Sequence, residues 1–276
     1  YILKNIKYLL LFPFFSVAWM LQCDSGEVDL GWGDCNNIYD DDYFTPIGCM
    51  SSGCFSIEET HEINISYIPL GQFPYNIGEL INLTSINISD CGLTGEIPSN
   101  INNLQSLTRL WIYDNGLDLP DSLGINSNLS GQIPIEIGSL SNLLSINLEN
   151  NSLEGPIPDT LSNLISLNQL ILSGNKLEGE IPSSLMILEN LESLSLSDNL
   201  LSGQISDDIS NLKKLTFLSL SNNQLTGHIP FGINTLSSVY YLDLSNNNLN
   251  GTIPDDLGSL NLVYLNLNNN QLTGQI

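Results

Sequence analysis

Basic residues are scarce in this chain of 276 residues, which has 6 Lys and Arg against 30 Asp and Glu and a formal net charge of -24. A protein that binds nucleic acid needs a basic face to neutralise phosphates, so the charge excludes that class. The same charge argues against docking on anionic membranes. It does not predict disorder, since 42% of the residues are hydrophobic and can build a large core.

The residue types of common catalytic sites are few or scattered. There are two histidines, His61 and His228, and they lie far apart along the chain. No Gly-x-Ser-x-Gly elbow, Walker loop or dinucleotide-binding loop occurs in the sequence. The acidic run Asp40-Asp41-Asp42 lacks the alternating oxygens and the Gly of a calcium loop. We therefore predict that the protein is not an enzyme and holds no cofactor or metal.

Long apolar runs are also missing, and the clearest short one lies near the start. Lys4 and Lys7 are followed by the apolar residues 8–15 and by Ser16-Val17-Ala18, which has small residues where a leader is cleaved. This pattern predicts a secretory signal peptide over residues 1–18. The alternative, a transmembrane anchor, needs about 20 apolar residues. We expect a secreted or cell-surface protein with no membrane insertion in this fragment.

Leucine and asparagine, in contrast, are abundant: 50 Leu and 35 Asn fill close to a third of the chain. Such an excess indicates an internal repeat. The copies follow Leu-x-x-Leu-x-Leu-x-x-Asn-x-Leu-x-Gly-x-Ile-Pro-x-x-Leu-x-x-Leu, clearest from Leu143. A degenerate first copy starts near Thr60, and others start at Leu83, Leu107, Leu143, Leu167, Leu191, Leu215, Val239 and Leu262. That makes about nine units over residues 57–276, and we expect a fragment of a longer protein because the last unit is cut short without a cap.

This pattern resembles the leucine-rich repeat family, in the subtype of plant receptor ectodomains, polygalacturonase-inhibiting proteins and many bacterial surface proteins. The resemblance implies an α/β-type repeat solenoid, a curved right-handed superhelix. Its parallel β-sheet would line the concave face, and its convex face would be mostly loops, short 3-10 helices or strands. The leucines would point into one continuous core, because no single repeat can bury them alone.

Asparagine recurs at the ninth position of the repeat, where the chain leaves the strand. Its amide can donate to and accept from backbone groups of neighbouring turns, which would otherwise be buried unpaired. This structural ladder is Asn115, Asn151, Asn175, Asn199, Asn223, Asn247 and Asn270. Cys91 takes the place of Asn in the Leu83 copy, and we predict a buried thiol there rather than a disulfide.

Residues 19–56 do not fit the repeat and contain Cys23, Cys35, Cys49 and Cys54. An exported chain meets an oxidising compartment, so paired cysteines are expected, although four cysteines allow three pairings. Cys23–Cys35 with Cys49–Cys54 is our preferred guess. By resemblance to extracellular family members, this segment would cap the open end of the leucine core. A zinc site is the competing interpretation, but the Cys-x-x-Cys spacing is absent.

Two departures from the template lie further along. The Leu107 copy is 12 residues longer than its neighbours, and the extra segment is 116–127. Insertions in such repeats map to loops, often on the binding side, but a tolerated surface loop is an open alternative. Ser206 replaces the usual Pro in the Leu191 copy, which we interpret as neutral drift.

Two groups of large side chains occupy variable strand positions, which would face a ligand on the concave side. The first is Arg109, Trp111, Tyr113 and Asp114, on the strand that leads into the insertion. The second is Phe217, Tyr241 and Tyr264, at one template position in three successive repeats, with Tyr240 beside them. Trp, Tyr and Arg dominate interface energetics, and aromatic ladders also stack on sugars. The alternative is that aromatic residues merely suit strands.

We therefore predict a non-catalytic leucine-rich repeat protein that recognises a protein, or a glycan, through its concave face. One alternative is the ectodomain of a receptor-kinase-like membrane protein whose C-terminal part is missing. Another is a structural or adhesive coat protein without a specific ligand. The ligand itself is not identified by any of these patterns.

Overall fold

The computed structural model describes residues 27–30, 54–67, 70–115 and 128–274. Several predicted features lie outside the described residues: the signal peptide 1–18, most of the cap 19–56 with Cys23, Cys35 and Cys49, the run Asp40-Asp41-Asp42 and the insertion 116–127. Cys54 is described only as part of a strand backbone.

A parallel sheet with nine described strands, here called the main sheet, runs through the repeats and takes one strand from each copy. In chain order its strands are Glu62–Ser66, Ser85–Ser89, Arg109–Tyr113, Ser145–Asn147, Gln169–Ile171, Ser193–Ser195, Phe217–Ser219, Tyr241–Asp243 and Tyr264–Asn266. The leucine pattern explains the sheet, because alternate residues of a strand point to opposite faces. Leu170, Leu194 and Leu218 are each no more than 1% exposed at one register position.

The residues that follow each main-sheet strand form a second set of strands. A five-stranded parallel sheet contains Gly95–Glu96, Leu129–Gln132, Ser152–Gly155, Lys176–Glu180 and Leu200–Ser202. A separate parallel pair joins Asn250–Thr252 to Gln271–Thr273. The template glycine lies within or at the end of these strands in a left-handed conformation, for example Gly155 at φ 74, the last residue of Ser152–Gly155.

Short 3-10 helices form the remaining side of each repeat, and no α-helix occurs among the residues described. They are Ile77–Glu79, Ser99–Asn103, Ile135–Ser139, Asp159–Asn163, Ser183–Ile187, Asp207–Asn211, Phe231–Thr235 and Asp255–Ser259. Pro134 and Pro158 precede two of them in extended conformation, which explains the Ile-Pro of the template. The helical part of an α/β solenoid is thus reduced to single 3-10 turns.

Hydrogen bonds from the asparagine ladder join neighbouring repeats. Asn175 Nδ2 donates to the carbonyl oxygens of Leu148 at 2.9 Å and Leu172 at 3.0 Å, and its Oδ1 accepts from the Leu153 N–H at 3.0 Å. Asn199, Asn223, Asn247 and Asn270 repeat this arrangement. One side chain therefore pairs backbone groups in two repeats.

The residue just before the ladder position adopts a left-handed conformation in every described copy. Asp, Asn and Gly tolerate this region better than other residues. The series is Tyr67, Asp90, Asp114, Asn150, Gly174, Asp198, Asn222, Asn246 and Asn269. Tyr67, at φ 59, is the one large side chain among them.

Part of the N-terminal segment joins the core. The strands Glu27–Asp29 and Cys54–Ser56 pair antiparallel. Val28 and Phe55 are each 2% exposed and belong to the same apolar cluster as Ile63 of the first repeat. Burial of such side chains contributes about 1.5–3 kcal/mol each.

Candidate ligand-binding face

The outer face of the main sheet carries the variable side chains in aligned rows. Strand register places one residue from each copy in a row, here called the outer row. Its members in order are Glu62, Ser85, Arg109, Ser145, Gln169, Ser193, Phe217, Tyr241 and Tyr264. Successive members are about 4.8 Å apart across the strands. Both predicted groups therefore contribute to a single row.

The first group is held in place by its own contacts. The guanidinium carbon of exposed Arg109 lies 4.9 Å from the centroid of the Trp111 ring, a cation–π distance. Trp111 Nε1 donates to Ser145 Oγ at 2.7 Å, and that hydroxyl donates to Gln169 Oε1 at 2.6 Å. A relay of hydrogen bonds thus runs from the indole across two strands and fixes the orientation of the indole ring.

Asp114 was predicted on the same strand as Arg109, but the strand Arg109–Tyr113 ends one residue before it. It is a turn residue with φ 54, and its Oδ1 accepts from Asn150 Nδ2 at 2.6 Å. Tyr113 is partly buried at the end of the strand. The strand thus presents Arg109, Trp111 and Tyr113, while the carboxylate of Asp114 is engaged at the edge of the sheet.

The second group forms a stack of rings. The Phe217 and Tyr241 centroids are 4.4 Å apart with an interplanar angle of 12°, and those of Tyr241 and Tyr264 are 4.4 Å apart at 6°. Each inner ring face is covered by its neighbour, so the stack presents ring edges and two end faces. Burial raises the pKa of the Tyr241 phenol, and nearby Asp243 and Tyr264 raise it further. Asn266 Nδ2 also donates to the Tyr264 hydroxyl at 3.2 Å.

Tyr240 is not part of the stack. It precedes the strand Tyr241–Asp243 and is 48% exposed, and it makes no ring contact with the described aromatic residues. A residue next to a row position points away from the row, which is why sequence adjacency misplaced it.

Small polar residues separate the two groups. Ser193 and Ser195 lie on the strand between those of Gln169 and Phe217. The hydroxyls of Ser173 and Ser195 form a hydrogen bond at 2.6 Å. The middle of the face is therefore a low, hydroxyl-lined strip with a taller wall on either side.

The model of the Leucine Rich Repeat family matches residues 82–104, 142–164, 166–188, 190–212, 214–236, 238–260 and 261–276. The chain belongs to the leucine-rich repeat family. The matched segments omit the copies at Thr60 and Leu107, which are the two most irregular ones. The main sheet of this leucine-rich repeat protein is the concave face predicted from the sequence.

Solved structures of plant receptor ectodomains are similar to this leucine-rich repeat protein. The ectodomain of the receptor kinase GASSHO1/SCHENGEN3 from Arabidopsis thaliana, in complex with CASPARIAN STRIP INTEGRITY FACTOR 2, is 35% identical at a TM-score of 0.74, over 84% of this chain and 26% of that one. The plant peptide hormone receptor RGFR1 in complex with RGF2 is 32% identical at a TM-score of 0.64, over 78% of this chain and 37% of that one.

A third such structure is the Arabidopsis receptor kinase HAESA ectodomain with an N-terminal extended IDA peptide hormone. It is 32% identical at a TM-score of 0.62, over 78% of this chain and 38% of that one. The chain thus spans less than half the length of each of these ectodomains. No curated protein sequence matches the chain at a significant level.

Among the described residues, no group of three or more His, Cys, Asp or Glu side chains could hold a metal ion. In the same part of the chain, no helix has the length and apolar character to span a membrane.

The sequence did not predict two features of this face. The hydrogen bond from Trp111 to Ser145 depends on the rotamer of the indole, which no sequence pattern reports. The covering of the ring faces depends on the stacking geometry of Phe217, Tyr241 and Tyr264. The shared register position of those three residues predicted that they lie close together, but not the angle or the overlap of their rings.

Proposed function

We propose that this leucine-rich repeat protein is a secreted or cell-surface recognition module that binds a protein or peptide on the main sheet without catalysing a reaction. The observation that carries the proposal is the outer row. It places the Arg109–Trp111 pair and the three-ring stack on one rigid face, with a low serine strip between them. Aromatic residues and Arg on a rigid scaffold are typical of binding surfaces.

The structural neighbours support a peptide or protein ligand. Their structures contain peptide hormones or a named integrity factor. A glycan ligand is less well supported by the geometry, because sugars stack on ring faces. The faces of Tyr241 are covered on both sides at 4.4 Å, so the stack offers only two end faces.

A receptor ectodomain is the second candidate function. The same neighbours favour it, since GASSHO1/SCHENGEN3 and HAESA are membrane or receptor kinases. In either case the leader at 1–18 would direct export, and residues 19–56 would cap the core. The burial of Val28 and Phe55 against the first repeat supports the capping role.

Selection of peptides from a random 12-residue display library against the full chain tests the recognition proposal. The double variants Trp111→Ala with Tyr113→Ala, and Tyr241→Ala with Tyr264→Ala, should each weaken selected peptides about tenfold or more. Phe231→Ala is the matched control, because Phe231 is 69% exposed on a 3-10 helix away from the main sheet. Undiminished binding in both double variants would show that the main sheet is not the binding face.

A further inference from the structure

The outer row has a gap one strand wide beside the ring stack. The row runs Gln169, Ser193, Phe217, and Ser193 carries only a hydroxymethyl group between two long side chains. The rings of Phe217 and Tyr241 occupy one strand each at a centroid step of 4.4 Å. A ring at the Ser193 position would continue the same stack, but the sequence has none there.

The end face of Phe217 forms one wall of this gap. Its opposite face packs on Tyr241 with an interplanar angle of 12°, so the stack axis follows the row and the uncovered face turns toward Ser193. Among the described residues, no ring contacts that uncovered face. Phe217 and Ser193 are both only partly buried, so the gap opens to solvent.

Gln169 lies on the other side of the gap. Its Oε1 accepts from Ser145 Oγ at 2.6 Å, and Ser145 in turn accepts from Trp111 Nε1 at 2.7 Å. This relay holds the carboxamide of Gln169 toward Ser145, on the side away from Ser193, and so keeps it out of the gap. Next to the gap, two residues along the central strand, Ser195 is buried and bonded to Ser173 at 2.6 Å.

We propose that this gap is a slot for one planar aromatic side chain of a peptide or protein ligand, which becomes the fourth ring of the stack. Two strand spacings, about 9.6 Å, separate the Gln169 and Phe217 positions of the row. A flat ring fits in that space and meets the end face of Phe217 at an ordinary stacking distance. The slot joins both predicted groups into one site, and it rests on the recognition function proposed above.

Capped pentapeptides of the form acetyl-Gly-Gly-Xaa-Gly-Gly-amide, with Xaa as Trp, Tyr or Leu, provide the probes. Saturation-transfer NMR with the full chain should show the Trp and Tyr peptides binding about tenfold more tightly than the Leu peptide. Methyl β-glucoside is the sugar probe and should not compete with the Trp peptide. Equal binding of the three peptides, or displacement of the Trp peptide by the glucoside, would overturn the slot.

Ser193→Tyr supplies the missing ring from the protein itself and should reduce binding of the Trp peptide at least tenfold. Phe217→Leu removes the stacking wall and should have the same effect, so the test does not depend on one variant folding. Phe231→Leu is the matched control, because Phe231 is 69% exposed on a 3-10 helix away from the main sheet, and it should change binding less than twofold. Retention of Trp-peptide binding by folded Ser193→Tyr protein would overturn the proposal.

The slot and the recognition function can fail separately. If display-selected peptides lose affinity in the Trp111 and Tyr241 double variants but not in Ser193→Tyr, the binding face stands and the slot is wrong. If those peptides bind with full affinity in all of these variants, the binding face is wrong as well.

Discussion

The copies from Leu167 onward differ from the copies at Leu83 and Leu143 in how they pair their buried backbone groups, although all follow one template. In the copies from Leu167 onward, Asn175 and its equivalents use both ends of the amide, as Asn115 does in the Leu107 copy. In the Leu83 copy, Cys91 takes the ladder position, and its single thiol proton is shared between the carbonyl oxygens of Ser89 at 3.0 Å and Ile65 at 3.6 Å. The backbone N–H of Cys91 donates to Asn115 Oδ1 at 3.2 Å.

The copy at Leu143 follows the insertion in the sequence, and its ladder residue Asn151 pairs differently from the other ladder asparagines. Asn151 Nδ2 donates to the carbonyl oxygens of Ile112 at 2.7 Å and Leu148 at 2.9 Å, as in the later copies. Its Oδ1 is buried, and no donor among the described residues reaches it. The template position thus encodes a donor role that Cys or Asn can fill, and an acceptor role that requires an unbroken preceding repeat.

Replacing a ladder asparagine in each region gives the largest expected effect. Asn199 donates to Leu172 at 3.0 Å and accepts from Leu177 at 3.0 Å, so Asn199→Ala leaves groups of both kinds buried and unpaired. We expect a loss of about 3 kcal/mol in unfolding free energy, measured by urea denaturation. Asn151→Ala loses only the donor side and should cost about 1 kcal/mol less. Equal losses of unfolding free energy in the two variants would show that the hydrogen bond accepted by the Asn199 Oδ1 does not stabilise the fold.

The left-handed position offers a second comparison. Tyr67 holds φ 59 and is 79% exposed, while Asn222 holds φ 55 at the same template position. Tyr67→Asn should raise the unfolding free energy by about 1 kcal/mol, because Asn tolerates this conformation and little packing is lost. Asn222→Tyr is the reverse control and should lower stability by a similar amount. A neutral Tyr67→Asn would mean that this turn relaxes without strain.

The left-handed series also shows how far the sequence reaches. Leucine spacing predicted the main sheet, and the recurring Asn at positions such as Asn175 predicted hydrogen bonds between turns, because both depend on residue type and period alone. Asp, Asn or Gly also recurs at the position before each ladder Asn, and this pattern could have predicted the left-handed turns. The contacts of Trp111 with Arg109 and Ser145 could not be predicted, since they depend on side-chain rotamers. Which ring faces are covered depends on rotamers too.

The charge of Glu149, in the copy that follows the insertion-bearing one, has a smaller expected effect on stability. Partial burial raises the pKa of the Glu149 carboxyl above its ordinary 4.5, and Asp114 and Asp198 raise it further. The folded state therefore holds this proton more tightly than the unfolded state. The associated stability is present below about pH 4.5 and is lost as pH rises through the raised pKa.

Glu149→Gln should therefore raise stability at pH 7 by a few tenths of a kcal/mol, because solvent screens a half-exposed carboxylate. At pH 3 the two proteins should unfold at the same urea concentration. A larger gain at pH 3 than at pH 7 would contradict the assigned sign.

Ser206 is a departure inside the regular region, and its side chain makes a hydrogen bond that the sequence did not predict. Its backbone has φ -63 and ψ 139, close to Pro158 at φ -65 and ψ 130, and its hydroxyl accepts from the Asp208 N–H at 3.2 Å. The serine therefore caps the 3-10 helix Asp207–Asn211, which no proline can do. Ser206→Ala loses this cap and should cost about 0.5–1 kcal/mol.

Ser206→Pro loses the same hydrogen bond but restricts the unfolded chain, which returns about 0.4–1 kcal/mol at a compatible φ. The two terms oppose each other, so the unfolding free energy should stay within about 0.5 kcal/mol of the parent protein. Urea denaturation of the parent, the Ala variant and the Pro variant separates the terms, and Pro should be the milder change. If Pro costs more than Ala, the backbone at Ser206 is not preset for proline, and the regular region is less uniform than its sequence indicates.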